Sequence, residues 1–370
     1  MLCSATVPVT DCHIHVQPWW EIKPAVLEVM TRGRTDLDEL QKIMKSPSHL
    51  LRRLDADGIE RAVLVNYPSP DLMGFSHRVN EYVAEYCRAA PDRLVPMGGV
   101  HPRFAEDAAR EVRRAAEQGV RALKIHPCHM AVEINAYLRG LDSLRAIYSE
   151  AERLGLPVMI HTGTSIFPGA RSRHGEPMGA DDVAVDFPRL TLILAHGGRP
   201  LWMDQAFFLV RRFPRVYMDV SSIPPKAILR YFPRLAEVAD KVLYGSDWPA
   251  PGVRSMGDNL RDFRALGLPE EVTRKILEEN PARVFPRRPR SPTPSSPRWP
   301  GSFPSSRSCS RSPSCPSRPL ASGNRTATSS PCRPSSVCPS WASTSSTDPR
   351  PSSTWPRTTS PSSCCWAASS

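Results

Sequence analysis

Short apolar runs alternate with longer amphipathic stretches over residues 8–285. Runs at 8–14, 62–66, 94–100, 122–125, 157–161, 192–195, 216–220 and 242–245 are rich in β-branched and aliphatic residues and read as strands. Between them, 75–89, 105–118, 141–154, 200–213, 225–238 and 257–266 read as helices. A last helix is expected over 269–279, where Pro269 occupies the first turn and acids lie close by. Strands that are almost continuously apolar, each followed by a helix, argue for a parallel sheet covered by helices. Eight such units within residues 1–285 fit a closed (β/α)8 barrel of the triosephosphate-isomerase (TIM) type better than an open sheet.

Residues 17–56 interrupt this rhythm. They hold Trp19, Trp20 and two helical pieces, 24–30 and 36–44. An insertion behind the C-terminal end of the first strand either covers the barrel mouth as a lid or packs on the barrel's flank.

Composition divides the chain. Residues 286–370 hold 27 serines, 17 prolines and 11 arginines against one acid, Asp348, so this tail carries +10 of the formal +11. It is too poor in apolar residues to fold and is expected to be disordered. Its abrupt onset and its near lack of lysine and acids suit a GC-rich gene read in a shifted frame. The body, near neutral, gives no electrostatic reason for a nucleic-acid or membrane partner. Of ten cysteines, four lie in the body (Cys3, Cys12, Cys87, Cys128) without close-spaced partners, which fits reduced thiols and a cytoplasmic location. Neither a signal-peptide pattern nor an 18-residue apolar run occurs.

The chemistry-bearing residues sit where strands end. Asp11-Cys12-His13-Ile14-His15 closes the first strand, and alternate side chains of a strand share a face, so His13 and His15 point together into the mouth. A lone pair of this kind is more often two separately satisfied histidines than a metal pair. Three further ends change that balance: strand five ends at His161 before Thr162-Gly163, strand six at His196 before Gly197-Gly198, and strand eight runs through Gly245-Ser246 to Asp247 before Trp248-Pro249. Separate buried polar groups at so many equivalent positions are a weaker explanation than one shared site. Lys124, which shares a strand face with His126, is a candidate for a substrate anion or for a structural ion pair. Arg199 could clamp a carboxylate or merely cap the next helix, and Trp248 could wall the pocket or simply pack. His101, after strand three, and Arg171, Arg173 and His174, in a long loop over 162–180, are weaker candidates.

These motifs resemble the amidohydrolase superfamily, and most closely its amidohydrolase-related branch, which includes aminocarboxymuconate-semialdehyde decarboxylase. Glu279-Asn280-Pro281-Ala282-Arg283-Val284-Phe285 is similar to that branch's final segment, so the likeness spans roughly residues 9–285. It implies one divalent ion held by His13, His15, His161 and Asp247, with His196 and Asp247 moving protons. Zn2+ is the first choice; Mn2+, Fe2+ and Co2+ accept the same donors. Relatives with two ions bridge them by a carbamylated strand-four lysine, which makes a second ion near Lys124 and His126 the minor alternative. The expected reaction is hydrolysis of an amide or lactone of a small carboxylated substrate by activated water. The alternative on the same ligands is non-oxidative decarboxylation of an aromatic or dienic acid. A third reading, of another class, has the basic tail bind nucleic acid. A homodimer is left open.

Overall fold

A computed structural model describes residues 7–287. The tail expectation falls on residues 286–370, nearly all of which lie outside the described residues, as does Cys3. Eight strands form one parallel sheet in sequence order: β1 (Thr10–Ile14), β2 (Arg61–Val65), β3 (Leu94–Gly98), β4 (Ala122–Ile125), β5 (Val158–His161), β6 (Leu192–Ala195), β7 (Val216–Asp219) and β8 (Val242–Leu243). Backbone bonds close the circle between the end of β8 and β1: Cys12 N–H donates to Tyr244 O at 2.9 Å, Asp247 N–H to His13 O at 2.7 Å and His15 N–H to Trp248 O at 2.7 Å. The architecture is the (β/α)8 barrel that the alternation of runs predicts.

Helices α1 (Pro24–Thr31), α2 (Leu37–Lys45) and α3 (Pro47–Ala56) form the insertion. Outside the barrel follow α4 (Val79–Arg88), α5 (Ala108–Gln118), the single turn α6 (Pro127–Met130), α7 (Asp142–Leu154), α8 (Gly179–Asp186), α9 (Met203–Arg212), α10 (Ile228–Tyr231), α11 (Met256–Arg264), α12 (Glu270–Arg274) and α13 (Asn280–Val284). Among the described residues no helix is long and apolar enough to cross a membrane.

On β2 to β6 strand residues sort by parity: Val63, Met97, Met159 and Ile193 belong to a packed interior cluster, while Leu64, Leu123, Ile160 and Leu194 belong to a larger cluster facing the helices; on β1 a register irregularity between Asp11 and Ile14 puts Cys12 in the first and Ile14 in the second. Val284 and Phe285 belong to the interior cluster. Arg61, at the start of β2, donates to Phe285 O at 2.9 Å, so the segment after α13 plugs the barrel floor. Cys12, Cys87 and Cys128 are buried free thiols.

Three expectations need correction. The helix over 225–238 is broken: α10 stops at Tyr231 because Pro233 cannot continue it, and Phe232, the residue before the proline, has already left the helical conformation. The insertion holds a third helix, α3, started by Pro47 at its first position. The long loop after β5 is not all loop, because it turns at Ser172–Gly175 and enters α8 at Gly179. The insertion itself divides between two places. Met30 and Gln17 reach the mouth, whereas Ile43 and Met44 are fixed to the flank by the hydroxyls of Tyr86 and Tyr82, each donating to a carbonyl at 2.6 Å.

Candidate metal centre

The β1 histidines are held by their Nδ1 atoms, which leaves their Nε2 atoms for the cavity. His13 Nδ1 lies 2.9 Å from Asp219 Oδ2, and His15 Nδ1 lies 3.0 Å from the Val65 carbonyl oxygen. Both partners are acceptors, so Nδ1 carries the proton in each ring and each Nε2 offers a lone pair. Those two atoms approach Asp247 Oδ1 at 3.5 Å and 3.1 Å. His13 Nε2 is buried with no hydrogen-bond partner in the protein. Buried polar atoms are ordinarily satisfied. Two imidazole lone pairs and one carboxylate oxygen converging on one point, with carboxylate and carbonyl acceptors fixing the tautomers behind them, are the donor set of a divalent ion. The residues present therefore fit such an ion.

Asp247 and His196 both have left-handed backbones, with φ of 67° and 65°. For residues other than glycine this costs about 1–2 kcal/mol each. Local bonds retain both conformations. The Asp247 amide is tied to His13 O, and the His196 amide donates to Asp219 Oδ1 at 2.9 Å. Asp219 is the hub that sequence reading missed. It accepts from the amides of His196 and Ser221, and it faces His13. Ser221 Oγ then lies 2.8 Å from His196 Nδ1. The available signal was that the run Val216–Asp219 ends in a carboxylate, as strand eight does. Burial pushes the Asp219 carboxyl up, but the adjacent His13 ring and its hydrogen bond hold it below the usual carboxylate range. For Asp247, burial acts the same way and is outweighed by the adjacent His15 ring, then by His13 and Arg199, which leaves it ionised. Burial, with Arg199 nearby, holds His196 well below the usual imidazole range and therefore neutral.

The opposite wall is built on β4 and β5. Lys124 is buried, and its ammonium has no hydrogen-bond partner among the described residues. Burial lowers it to about 8, against the opposing pull of Asp219 and Asp247. Three imidazoles stack beside it, with His161 to His126 at 3.8 Å and His126 to His129 at 3.4 Å between centroids. His161, expected as a third imidazole ligand, lines the same cavity with an unpartnered Nε2, yet it groups within 4.8 Å with His126 and Cys128 rather than with His13, His15 and Asp247. Burial holds His126 and His161 well below the usual imidazole range, and Lys124, with Arg199 at His161, lowers them further; cations there disfavour a second metal ion. Tyr67 and His129 are further residues that sequence reading missed. Tyr67 Oη and His129 Nδ1 are 2.9 Å apart, and His129 Nε2 lies 2.8 Å from Ser165 Oγ.

Arg199 lines the cavity, with its guanidinium donating to Thr164 O at 3.2 Å and Ser222 Oγ at 2.8 Å while Nε stays unpartnered. Trp248 does not wall the pocket. Its backbone carbonyl is committed to His15, and its ring is 1 % exposed within the outer core. His101 packs on Phe104 at 4.5 Å and lies off the cavity, and Arg171, Arg173 and His174 line none of it. The cavity holds about 320 Å³, the size of a small-molecule site, and its remaining walls are largely apolar, including Met30, Met73, Phe167, Met203 and Ile223.

The sequence profile of the amidohydrolase family (Amidohydro_2) matches residues 10–287. A gamma-resorcylate decarboxylase of Rhizobium sp. (strain MTP-10005) is 24 % identical over 282 residues, covering 64 % of this chain and 85 % of its own length. Among solved structures, an uncharacterized TIM-barrel protein of Bordetella bronchiseptica aligns with a TM-score of 0.60 at 22 % identity, over 75 % of this chain and 98 % of that one. A 5-carboxyvanillate decarboxylase of Novosphingobium aromaticivorans, solved with manganese and a nitrobenzoic acid, aligns with a TM-score of 0.53 at 17 % identity, over 75 % of this chain and 96 % of that one. From the ring of eight strands to the histidine and aspartate donors at its mouth, this chain is an enzyme fold of one kind: it belongs to the amidohydrolase family.

Proposed function

We propose that the protein is a metal-dependent, non-oxidative decarboxylase of a small aromatic or dienic acid. The observation that carries the reading is Lys124, a buried ammonium without a partner that faces the same cavity as His13, His15 and Asp247. A buried charge is costly unless paired, and an anionic substrate supplies the missing partner. Arg199 offers a second cationic edge through its free Nε. Hydrolysis of an amide or lactone, the first expectation from the ligand types, ranks second. Two of the relatives named above are called decarboxylases, of gamma-resorcylate and of 5-carboxyvanillate, and the cavity here presents Lys124 and Arg199 to an acid.

His13, His15 and Asp247 would hold the divalent ion, and His161, whose unpartnered Nε2 lines the same cavity, is a further imidazole donor for it. When bound, the ion supplies positive charge that stabilises the substrate's oxygens as electron density moves onto them. The protein's own groups do the rest. Lys124 and Arg199 bind the acid and fix its orientation. Apolar walls keep water from the carbon that loses CO2. The carbon–carboxylate bond breaks, CO2 leaves, and the electron pair remains on carbon, which takes one proton. His196 Nε2 is the atom proposed to relay that proton: Nδ1–H faces the Ser221 carbonyl, so Nε2 holds a lone pair that takes a proton from solvent and passes it to carbon. Zn2+ and Mn2+ both suit the donors, and reconstitution of the metal-free protein with each ranks them.

The test is to incubate the metal-loaded protein with gamma-resorcylate and 5-carboxyvanillate and measure CO2. Release from either supports the proposal. No CO2, together with turnover of a lactone or amide panel, would replace it with hydrolysis.

A further inference from the structure

We infer that Tyr67 is a specificity-determining hydrogen-bond donor, its hydroxyl proton turned into the cavity by His129 and Ser165 to meet an oxygen substituent on the acid substrate. The inference rests on the acid-substrate reading above and adds to it the requirement for a further oxygen.

The argument follows proton directions along three side chains. The Phe167 amide approaches Ser165 Oγ at 3.5 Å, so that oxygen is used as an acceptor on its own loop. Its hydrogen remains to be given, and we assign it to the atom 2.8 Å away, His129 Nε2. A neutral imidazole that accepts at Nε2 carries its proton on Nδ1. Burial holds His129 down to about 3, so the ring stays neutral across the working range. Nδ1–H therefore donates to Tyr67 Oη, 2.9 Å away. The phenol, with an acceptor lone pair filled, must place its own hydrogen elsewhere. Among the described residues it makes no other hydrogen bond, and Tyr67 lines the cavity. Tyr67 is 3 % exposed and His129 4 % exposed, so water competes poorly for that donor. The ring is held by packing, 5.1 Å from His126, while Phe167 stacks edge-on at 5.4 Å against His129.

A buried donor aimed into a cavity discriminates strongly between a ligand that has the matching oxygen and one that lacks it, because the unmatched donor is left unpaired. The substrate class that follows is a carboxylic acid bearing at least one more oxygen, such as a hydroxyl, on its ring or chain. His129 and Ser165 act through Tyr67 and are positioning residues.

Binding to the purified full chain with Mn2+ present tests this without relying on turnover. The probes are benzoate and its 2-, 3- and 4-hydroxy derivatives, titrated calorimetrically into the wild type, Tyr67→Phe and Ser165→Ala. The wild type should prefer at least one hydroxybenzoate over benzoate by about tenfold, the equivalent of one net hydrogen bond. Tyr67→Phe should bring the two within about twofold while retaining benzoate affinity, and Ser165→Ala should fall between, since His129 can then turn its proton away. A general loss of packing would weaken all four acids together and leave the preference intact. Full preference in Tyr67→Phe, or no preference in the wild type, overturns the inference. Preference in the wild type with no CO2 from any acid would refute the decarboxylase reading and leave this inference standing.

Discussion

Replacing Lys124 with methionine should make the metal-free protein more stable while abolishing its binding of acids. The side chain is 1 % exposed and its ammonium has no partner, so the folded state carries an uncompensated charge. Burial is the main cause of its drop from 10.5 to about 8, only partly offset by Asp219 and Asp247. At about 1.4 kcal/mol per tenfold, that difference costs the folded state roughly 3 kcal/mol at pH 7. The sign follows from proton counts. Below pH 8 both states hold the proton and the full penalty applies. Between 8 and 10.5 the folded state has released it while the unfolded chain still binds it, so stability rises with pH. Above that range the penalty is gone. Methionine fills the same space without charge, so Lys124→Met should gain roughly 3 kcal/mol at pH 7, and the gain should shrink towards zero as the pH approaches 10.5. Urea unfolding of both proteins in EDTA, followed by circular dichroism at pH 7, 8, 9 and 10, measures the difference and removes pH effects shared by the pair. A variant less stable than the wild type at pH 7, or a gain independent of pH, would show that Lys124 is paired in the folded protein and would remove the main support for an anionic substrate.

Three further outcomes follow from the same geometry. His13→Ala and Asp247→Ala should lower the metal content measured by elemental analysis, while His196→Ala should keep the metal and lose turnover; metal loss from His196→Ala would mean that its role is misassigned. Asp219→Asn removes the negative charge behind His13 and turns one of its two acceptor oxygens into a donor, so it should weaken metal affinity by about 10–100-fold with the fold intact, as read by competition with a chelating dye. Phe285→Ala empties the barrel floor and should cost about 3–5 kcal/mol in urea unfolding with little change in metal affinity, whereas a surface-like cost below about 0.5 kcal/mol would contradict the plug.

The barrel and the metal-facing residues were legible because both depend on local pattern. Strand boundaries follow apolar runs, and the C-terminal end of a run is where a barrel places chemistry, so His13, His15 and Asp247 could be read from position alone. Asp219 was missed because it acts backwards, through His13 and the amides of residues 196 and 221, and no local pattern encodes a partner 206 residues away. His129 and Tyr67 were missed for a related reason. They reach the cavity from α6 and from the residues beyond β2, and their roles exist only as a pair across 62 residues. The reading of Trp248 failed in the opposite direction: adjacency to Asp247 suggested a pocket wall, but the left-handed turn at Asp247 sends the next side chain into the outer core. The break after α10 was legible from Pro233, whose weight the helical periodicity around it obscured.

The glycines after His196 show how one motif joins strain to chemistry. His196, Gly197 and Gly198 have φ of 65°, 52° and 77°, three left-handed residues in succession. Side chains at the second and third positions would add their own conformational cost, and a Cβ on Gly197 would meet the Phe232 ring at 2.7 Å. The reversal these residues make brings Arg199 back beside β5, where its amide-bonded neighbours include Thr164, whose N–H donates to Arg199 O at 3.0 Å. The same turn sets the His196 amide on Asp219 and its ring against His13, at 4.9 Å between centroids. Within this turn only position 196 accepts the left-handed penalty with a side chain in place, and there the imidazole faces the cavity, while glycine absorbs it at the next two positions, where no side chain is used. A substitution that relieved it, such as His196→Gly, should therefore leave the turn intact and remove only the group proposed to carry the proton.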